Sequence, residues 1–234
     1  AHYQCLTFDN RGLGRSQPPG GTLSIGQMAA DALALMDGAG WSSAHVVGHS
    51  MGGIIAQQLA LTARPRVRSL SLLCTFARGR EATRLTPGLF WIGLRTRVGT
   101  RRQRRRAFLR FIAPPEALAR MDADALAARL APWFGHDLAD QPAVVMKQLA
   151  ALRACDLASR LGELAAVPTL VVSAAQDPLA RPESGRALAS GIPGARYVEL
   201  SDASHGVPLL EPGRINDLLL DHLARVEAAR PAGA

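Results

Sequence analysis

Gly48-His49-Ser50-Met51-Gly52 decides how the rest of the chain reads. A short apolar run, Ala44-His45-Val46-Val47, leads into it, and Ile54-Ile55-Ala56-Gln57-Gln58-Leu59-Ala60-Leu61 leads out with helical character. Strand, G-x-S-x-G, helix is the context in which such a pentapeptide makes a nucleophile elbow, a turn so tight that the serine backbone is strained. Side chains two positions before and after Ser50 would collide in that turn, so Gly48 and Gly52 are both expected to be obligatory. The turn lifts the hydroxyl above the carboxyl edge of a sheet. It also aims the first amides of the next helix at whatever the serine attacks.

Outward from this turn the chain alternates. Tyr3-Gln4-Cys5-Leu6-Thr7-Phe8 reads as a strand, followed by the loop Asp9-Asn10-Arg11-Gly12-Leu13-Gly14-Arg15-Ser16 and the break Pro18-Pro19-Gly20-Gly21. Ser24 with Gln27 three residues on is a capping-box signal, and Ile25, Met28, Ala29, Ala32, Leu35 and Met36 recur at helical spacing behind it. Val67 to Cys74 is the next expected strand. From Phe76 to Ala165 the strands vanish, and helical patterns broken at Pro87, Pro114-Pro115, Pro132 and Pro142 take their place. Alternation resumes with a strand at Pro168 to Ser173, a helix at Glu183 to Ser190, a strand at Arg196 to Leu200 and a helix at Ile215 to Val226. The reading is an α/β fold with a mostly parallel sheet flanked by helices. Its core is expected in residues 1–75 and 166–234, with residues 76–165 inserted as a helical lid.

A serine hydroxyl is a poor nucleophile unless a base lies within hydrogen-bond reach and an acid orients that base. In this architecture the partners follow in the order Ser, Asp or Glu, His. Asp177, in Gln176-Asp177-Pro178-Leu179, and His205, in Ser204-His205-Gly206, each fall just beyond the carboxyl end of an expected strand. Asp202 is the rival acid, although its place three residues before His205 suits a turn cap better. His49 stands beside the nucleophile and reads either as packing or as a substrate contact. Phe76, Trp91 and Trp133 are further candidates for the substrate pocket, with Phe90, Phe108, Phe111 and Phe134 as possible parts of its roof. Asp9 and Arg11 read as structural, because no P-loop lysine accompanies them. His2, His45, His136 and His222 have no metal-like spacing, and the chemistry calls for neither metal nor cofactor.

Together, Asp9-x-Arg11-Gly12-x-Gly14-x-Ser16, Gly48-His49-Ser50-Met51-Gly52-Gly53, Asp177-Pro178 and Ser204-His205-Gly206 resemble the α/β-hydrolase fold superfamily. The chain is similar to 3-oxoadipate enol-lactonases and other lid-bearing serine esterases. The resemblance implies Ser50 as nucleophile, His205 as base and then acid, and Asp177 as orienting acid, acting on a small carboxylic ester or lactone. The same triad could serve carbon–carbon bond hydrolysis or a prolyl aminopeptidase, or a silent binding module could retain the fold. A prolyl aminopeptidase would need acidic groups in the lid, which here is basic around its arginines. Epoxide hydrolases and dehalogenases carry aspartate where Ser50 stands.

Acyl transfer also needs two amides aimed at the developing oxyanion. Met51 is expected to supply one. The second belongs to a loop after an earlier strand, and no such loop precedes Tyr3. The expectation is an N-terminally truncated chain that lacks its first strands and this second donor.

The formal charge of +8 favours solubility and anionic partners without deciding either. Much of it lies between Arg95 and Arg110, where no acid occurs from Glu81 to Glu116. A solvated helix face, an attraction to anionic membranes or substrates, and nucleic-acid binding compete here. No aromatic residues alternate with the arginines and no nucleic-acid module appears, so the solvated face is preferred and nucleic acid is not an expected partner. Cys5, Cys74 and Cys155 read as free thiols, the first two buried in apolar runs, which suits a reducing, cytoplasmic setting. No apolar run approaches the roughly 20 residues of a membrane helix. Oligomeric state is not legible.

Overall fold

The computed structural model describes residues 3–18, 20–82 and 86–229. Its sheet has four parallel strands in the order β1 (Ala44–His49), β2 (Val67–Leu73), β3 (Thr169–Ala174) and β4 (Arg196–Leu200). Every residue of β3 is buried, and so is all of β2 but Arg68, as expected of inner strands covered on both faces. β1 and β4 are only partly covered.

The helices are α1 (Ile25–Gly38), α2 (Met51–Thr62), α3 (Gly79–Ala82), α4 (Pro87–Arg95), α5 (Arg101–Ile112) and α6 (Pro115–Arg120). They continue with α7 (Ala123–Phe134), α8 (Val144–Ala154), α9 (Pro182–Gly191), α10 (Val207–Leu210) and α11 (Pro212–Ala228). Ser24 caps α1 by accepting from the Gln27 amide, but the Gln27 side chain turns to Asp31 instead of completing the box. α2 buries Ile54, Ile55, Ala56, Leu59 and Ala60, and packs against α1, β1 and β2. A helix apolar on nearly every side is stable only when enclosed in this way.

Tyr3–Phe8 forms no strand. It pairs with no strand among the described residues, and a lone extended backbone has no ladder to stabilise it. Cys5 is consequently exposed rather than buried, whereas Cys74 is buried as read and all three thiols are free. The loop after Tyr3–Phe8 is well tied. Asp9 takes the Arg15 amide and the Ser16 hydroxyl, and Gly14, at φ +51°, passes so close to the Asp9 carboxylate that no Cβ would fit. Arg11 forks onto Asp31 of α1, so its charge is held by a carboxylate and not offered to an anion.

Residues 79–82 and 86–164 form the helical block, with a second apolar cluster of its own around Leu109, Ile112, Leu118, Leu126, Leu130 and Leu138. Pro87 and Pro115 open α4 and α6, where the missing N–H is harmless. Pro132 does not break the pattern but lies inside the last turn of α7, at the cost of one helical hydrogen bond. No helix among the described residues is long and apolar enough to cross a membrane.

The arginine run is α5, and it is not simply a solvated face. Arg101 reaches Asp137 and Asp140, Arg102 reaches Asp124, and Arg105 reaches Asp137 and Asp124, all acids distant in sequence. The Arg105 guanidinium, the Ala139 amide and Arg101 together hold the Asp137 carboxyl far below the usual carboxylate range. A depressed folded-state pKa contributes stability above the unfolded value, about 3.9, and loses that contribution as pH falls toward the folded one. D137N is therefore expected to lower Tm at pH 7 by roughly 2–4 °C, the scale of one partly exposed ion pair. The gap between wild type and variant should narrow in melts run progressively below pH 4. A constant gap would remove the charge from this account.

Candidate active site

All four strands end at one edge, and the loops leaving β1, β3 and β4 carry Ser50, Asp177 and His205. That edge is where open parallel sheets place ligands.

Ser50 sits at φ +54° and ψ −121°, outside the regions a side chain normally occupies. Such strain, of order 1–3 kcal/mol, persists only where neighbours over-determine it. Here the Ser50 amide donates to the Leu73 carbonyl at 2.9 Å. Its carbonyl accepts the Thr75 hydroxyl at 2.7 Å and the Gly53 amide at 2.9 Å. The glycine requirement falls partly elsewhere than the motif suggests. A Cβ on Gly48 would lie 2.3 Å from the Gly52 carbonyl oxygen, but one on Gly52 meets nothing within 4 Å. The second obligatory glycine is Gly53, where a Cβ would lie 2.5 Å from Thr75 Oγ1.

Asp177 is buried at the turn after β3. Its Oδ1 accepts the Leu179 and Ala180 amides, both at 2.8 Å, and its Oδ2 lies 2.7 Å from His205 Nδ1. The far ring nitrogen, Nε2, lies 2.9 Å from Ser50 Oγ. The loops carrying Asp177 and His205 are joined to each other, with the Gln176 amide on the Ala203 carbonyl at 2.9 Å and the Ser204 hydroxyl on the Gln176 carbonyl at 3.1 Å. The helical block takes part as well: the Gly206 amide donates to the Ile112 carbonyl at 2.8 Å, and a Cβ on Gly206 would strike that same oxygen. Hydroxyl, imidazole and carboxylate thus form one hydrogen-bonded line.

Asp202 does not join it. It is exposed and paired with Arg214 at 2.8 Å. A second serine–histidine–acid set does exist, with His45 between Ser69 at 2.7 Å and Glu227 at 2.7 Å. Ser69 is fully buried in the middle of β2, with no turn to present it, so this set fastens α11 to the sheet. No cluster of metal-ligating side chains occurs among the described residues.

Of the pocket candidates, Phe76 is fully buried in the main core, where its carbonyl accepts from Gln57 of α2. Trp91 and Trp133 are exposed, at 56% and 76%. Phe108, Phe111 and Phe134 pack edge-on within the helical block. His49 lies beside the site with its Nε2 2.8 Å from the His205 carbonyl oxygen. Three further residues contribute in ways the motifs do not state. Thr75 supports the strained serine, Gly206 lets the block approach His205, and Cys74 turns at φ +45° next to Asp177. Burial, and then the nearby Asp177 charge, push the Cys74 thiol up and keep it protonated. Only Gly206 left a sequence signal, as a glycine following the histidine.

A model of the alpha/beta hydrolase fold matches residues 1–212. The chain belongs to this family. Within it, the chain is 32% identical over 231 residues to RutD of Azorhizobium caulinodans, whose name assigns it, provisionally, to carbamate hydrolysis; the match spans 97% of this chain and 83% of that one. The enol-lactonase of Burkholderia xenovorans superposes with a TM-score of 0.74 at 30% identity, over 92% of this chain and 79% of its own. A hydrolase from Pseudomonas aeruginosa gives 0.73 at 30% identity, over 92% and 77%. The expected similarity to enol-lactonases therefore holds, and the chain is an α/β-hydrolase-family hydrolase with a parallel sheet flanked by helices.

Proposed function

We propose that this hydrolase cleaves a small carboxylic ester or lactone through an acyl-enzyme on Ser50. The observation that carries the reading is the line Ser50 Oγ, His205 Nε2 at 2.9 Å, His205 Nδ1 to Asp177 Oδ2 at 2.7 Å. His205 Nε2 takes the hydroxyl proton as Ser50 Oγ bonds to the acyl carbon, and the carbonyl pair moves onto oxygen. That oxyanion is received by the amide of Met51, the first residue of α2. Collapse expels the alkoxide, which takes the proton from His205. Water, deprotonated by the same nitrogen, then releases the acid and restores Ser50. Asp177 keeps the ring oriented through Oδ2, its Oδ1 already held by two amides. Residues 76–165 act as a lid over this chemistry, and neither metal nor cofactor enters it.

The likeness to RutD favours a second substrate class, carbamates, in which nitrogen replaces carbon beside the same carbonyl. The triad chemistry is unchanged; only the group held next to the acyl carbon differs.

A fluorophosphonate probe added to this chain is expected to label Ser50 and nothing else, and to label S50A not at all. Wild-type protein that is folded yet unlabelled would end the proposal. Turnover of matched aryl ester, lactone and carbamate substrates separates the two classes.

A further inference from the structure

His49 precedes the nucleophile, and its side chain makes contacts that neither ring packing nor substrate contact explains. Its Nε2 stands 2.8 Å from the backbone carbonyl oxygen of His205, and the two imidazole rings lie 4.8 Å apart at 43°. A carbonyl oxygen only accepts, so the hydrogen of the neutral ring is on Nε2 and Nδ1 is bare. Burial, and next the neighbouring His205, lower the proton affinity of His49 to a pKa of about 3, so the ring is neutral across any ordinary working pH.

The backbone on both flanks of His205 is held as well, the Ser204 carbonyl by the Val207 amide and the Gly206 carbonyl by the Leu209 and Leu210 amides. The Ser204 hydroxyl reaches Gln176 before it, and the Gly206 amide reaches Ile112 after it. Among the described residues, the group that donates to the carbonyl of His205 itself is His49. We propose that His49 is a positioning residue for the base: its Nε2–H holds the His205 carbonyl and so keeps the His205 ring directed at Ser50. The inference rests on the serine-hydrolase reading. It gives the position before the serine a requirement that the G-x-S-x-G pattern leaves open, namely an uncharged donor of imidazole reach. A cation there would oppose the imidazolium that must form on His205. A ring without a donor would fill the space but leave the carbonyl unheld.

Three variants separate these demands. H49F keeps a ring and removes the donor, H49M removes it on a flexible chain, and H49Q places an amide N–H near the position of Nε2. Wild type and S50A are measured alongside with the fluorophosphonate, so that failure of the hydrolase reading appears as an unlabelled wild type. H49F and H49M are expected to slow labelling of Ser50 on the order of tenfold to a hundredfold, the scale of a misplaced catalytic group. H49Q should recover most of that rate. On an ester substrate the loss should fall on kcat with KM little changed. Labelling of H49F and H49M at the wild-type rate, H49Q as slow as folded H49M, or a loss confined to KM would each overturn the proposal. Imidazole nitrogen NMR of wild type reads the same claim without activity. His49 should be the neutral Nε2–H form from pH 8 to pH 5, and protonation at Nδ1 anywhere in that range would also overturn it.

Discussion

D177N is expected to lower ester turnover about ten-thousandfold while leaving the melting behaviour close to wild type. The reason is the direction in which the new amide must lie. Asp177 Oδ1 accepts the Leu179 and Ala180 amides, so the single oxygen of asparagine is drawn to that side. Its NH2 then faces His205 Nδ1, at the place Oδ2 occupied. A donor facing Nδ1 selects the tautomer whose hydrogen is on Nε2, and that nitrogen can no longer take the Ser50 proton. D202N is the matched control, because Asp202 is exposed on Arg214, and it should change turnover by less than about twofold. Equal losses in the two variants would show that acid identity at Asp177 does not set the chemistry.

The next largest contrast is among glycines of the elbow. G48A should give little folded protein and no detectable labelling, because its Cβ would lie 2.3 Å from the Gly52 carbonyl oxygen and 2.7 Å from Gly53 Cα. Those obstacles are backbone, with no flexible end to move aside, so relief requires opening the turn that strains Ser50. The penalty is expected above the roughly 1–3 kcal/mol of ordinary overpacking. G53A meets the Thr75 side chain, whose hydroxyl also holds the Ser50 carbonyl, and should lose activity more than fold. G52A meets nothing, lies inside α2 and should be tolerated or slightly stabilising, as alanine is the better helix former. Soluble yield, melting temperature and probe labelling of the three side by side decide the matter. A tolerated G48A would contradict the geometry drawn for the turn.

The parts that were legible in the sequence share a cause. β2 and β3 are short apolar runs bounded by turn residues, and α1 and α11 repeat their apolar positions at helical spacing, so local pattern and tertiary role coincide. That Ser50, Asp177 and His205 meet could be expected because each follows a strand end in the order this architecture uses. Tyr3–Phe8 could not be judged in that way, since a strand exists only through its neighbour, and its alternating residues say nothing about whether one lies alongside. The acids that answer Arg101, Arg102 and Arg105 were invisible for a related reason: Asp124, Asp137 and Asp140 are near in space and far in sequence. Thr75 and Cys74 carry no motif at all, and their roles come from where β2 happens to stop.

The bond between the Gly206 amide and the Ile112 carbonyl has a bearing on how substrate gets in. α5 ends on the loop that carries the base, and Leu209 and Leu210 beyond that loop pack into the block's own apolar cluster. Swinging α5 outward would pull the loop of His205 away from Ser50, so an entrance that opened there would part the hydrogen-bonded line as it admitted a ligand. α4 packs against α5 but has no fully buried residue, and its Phe90 and Trp91 face outward, so a way in that spares this bond lies on its side of the block.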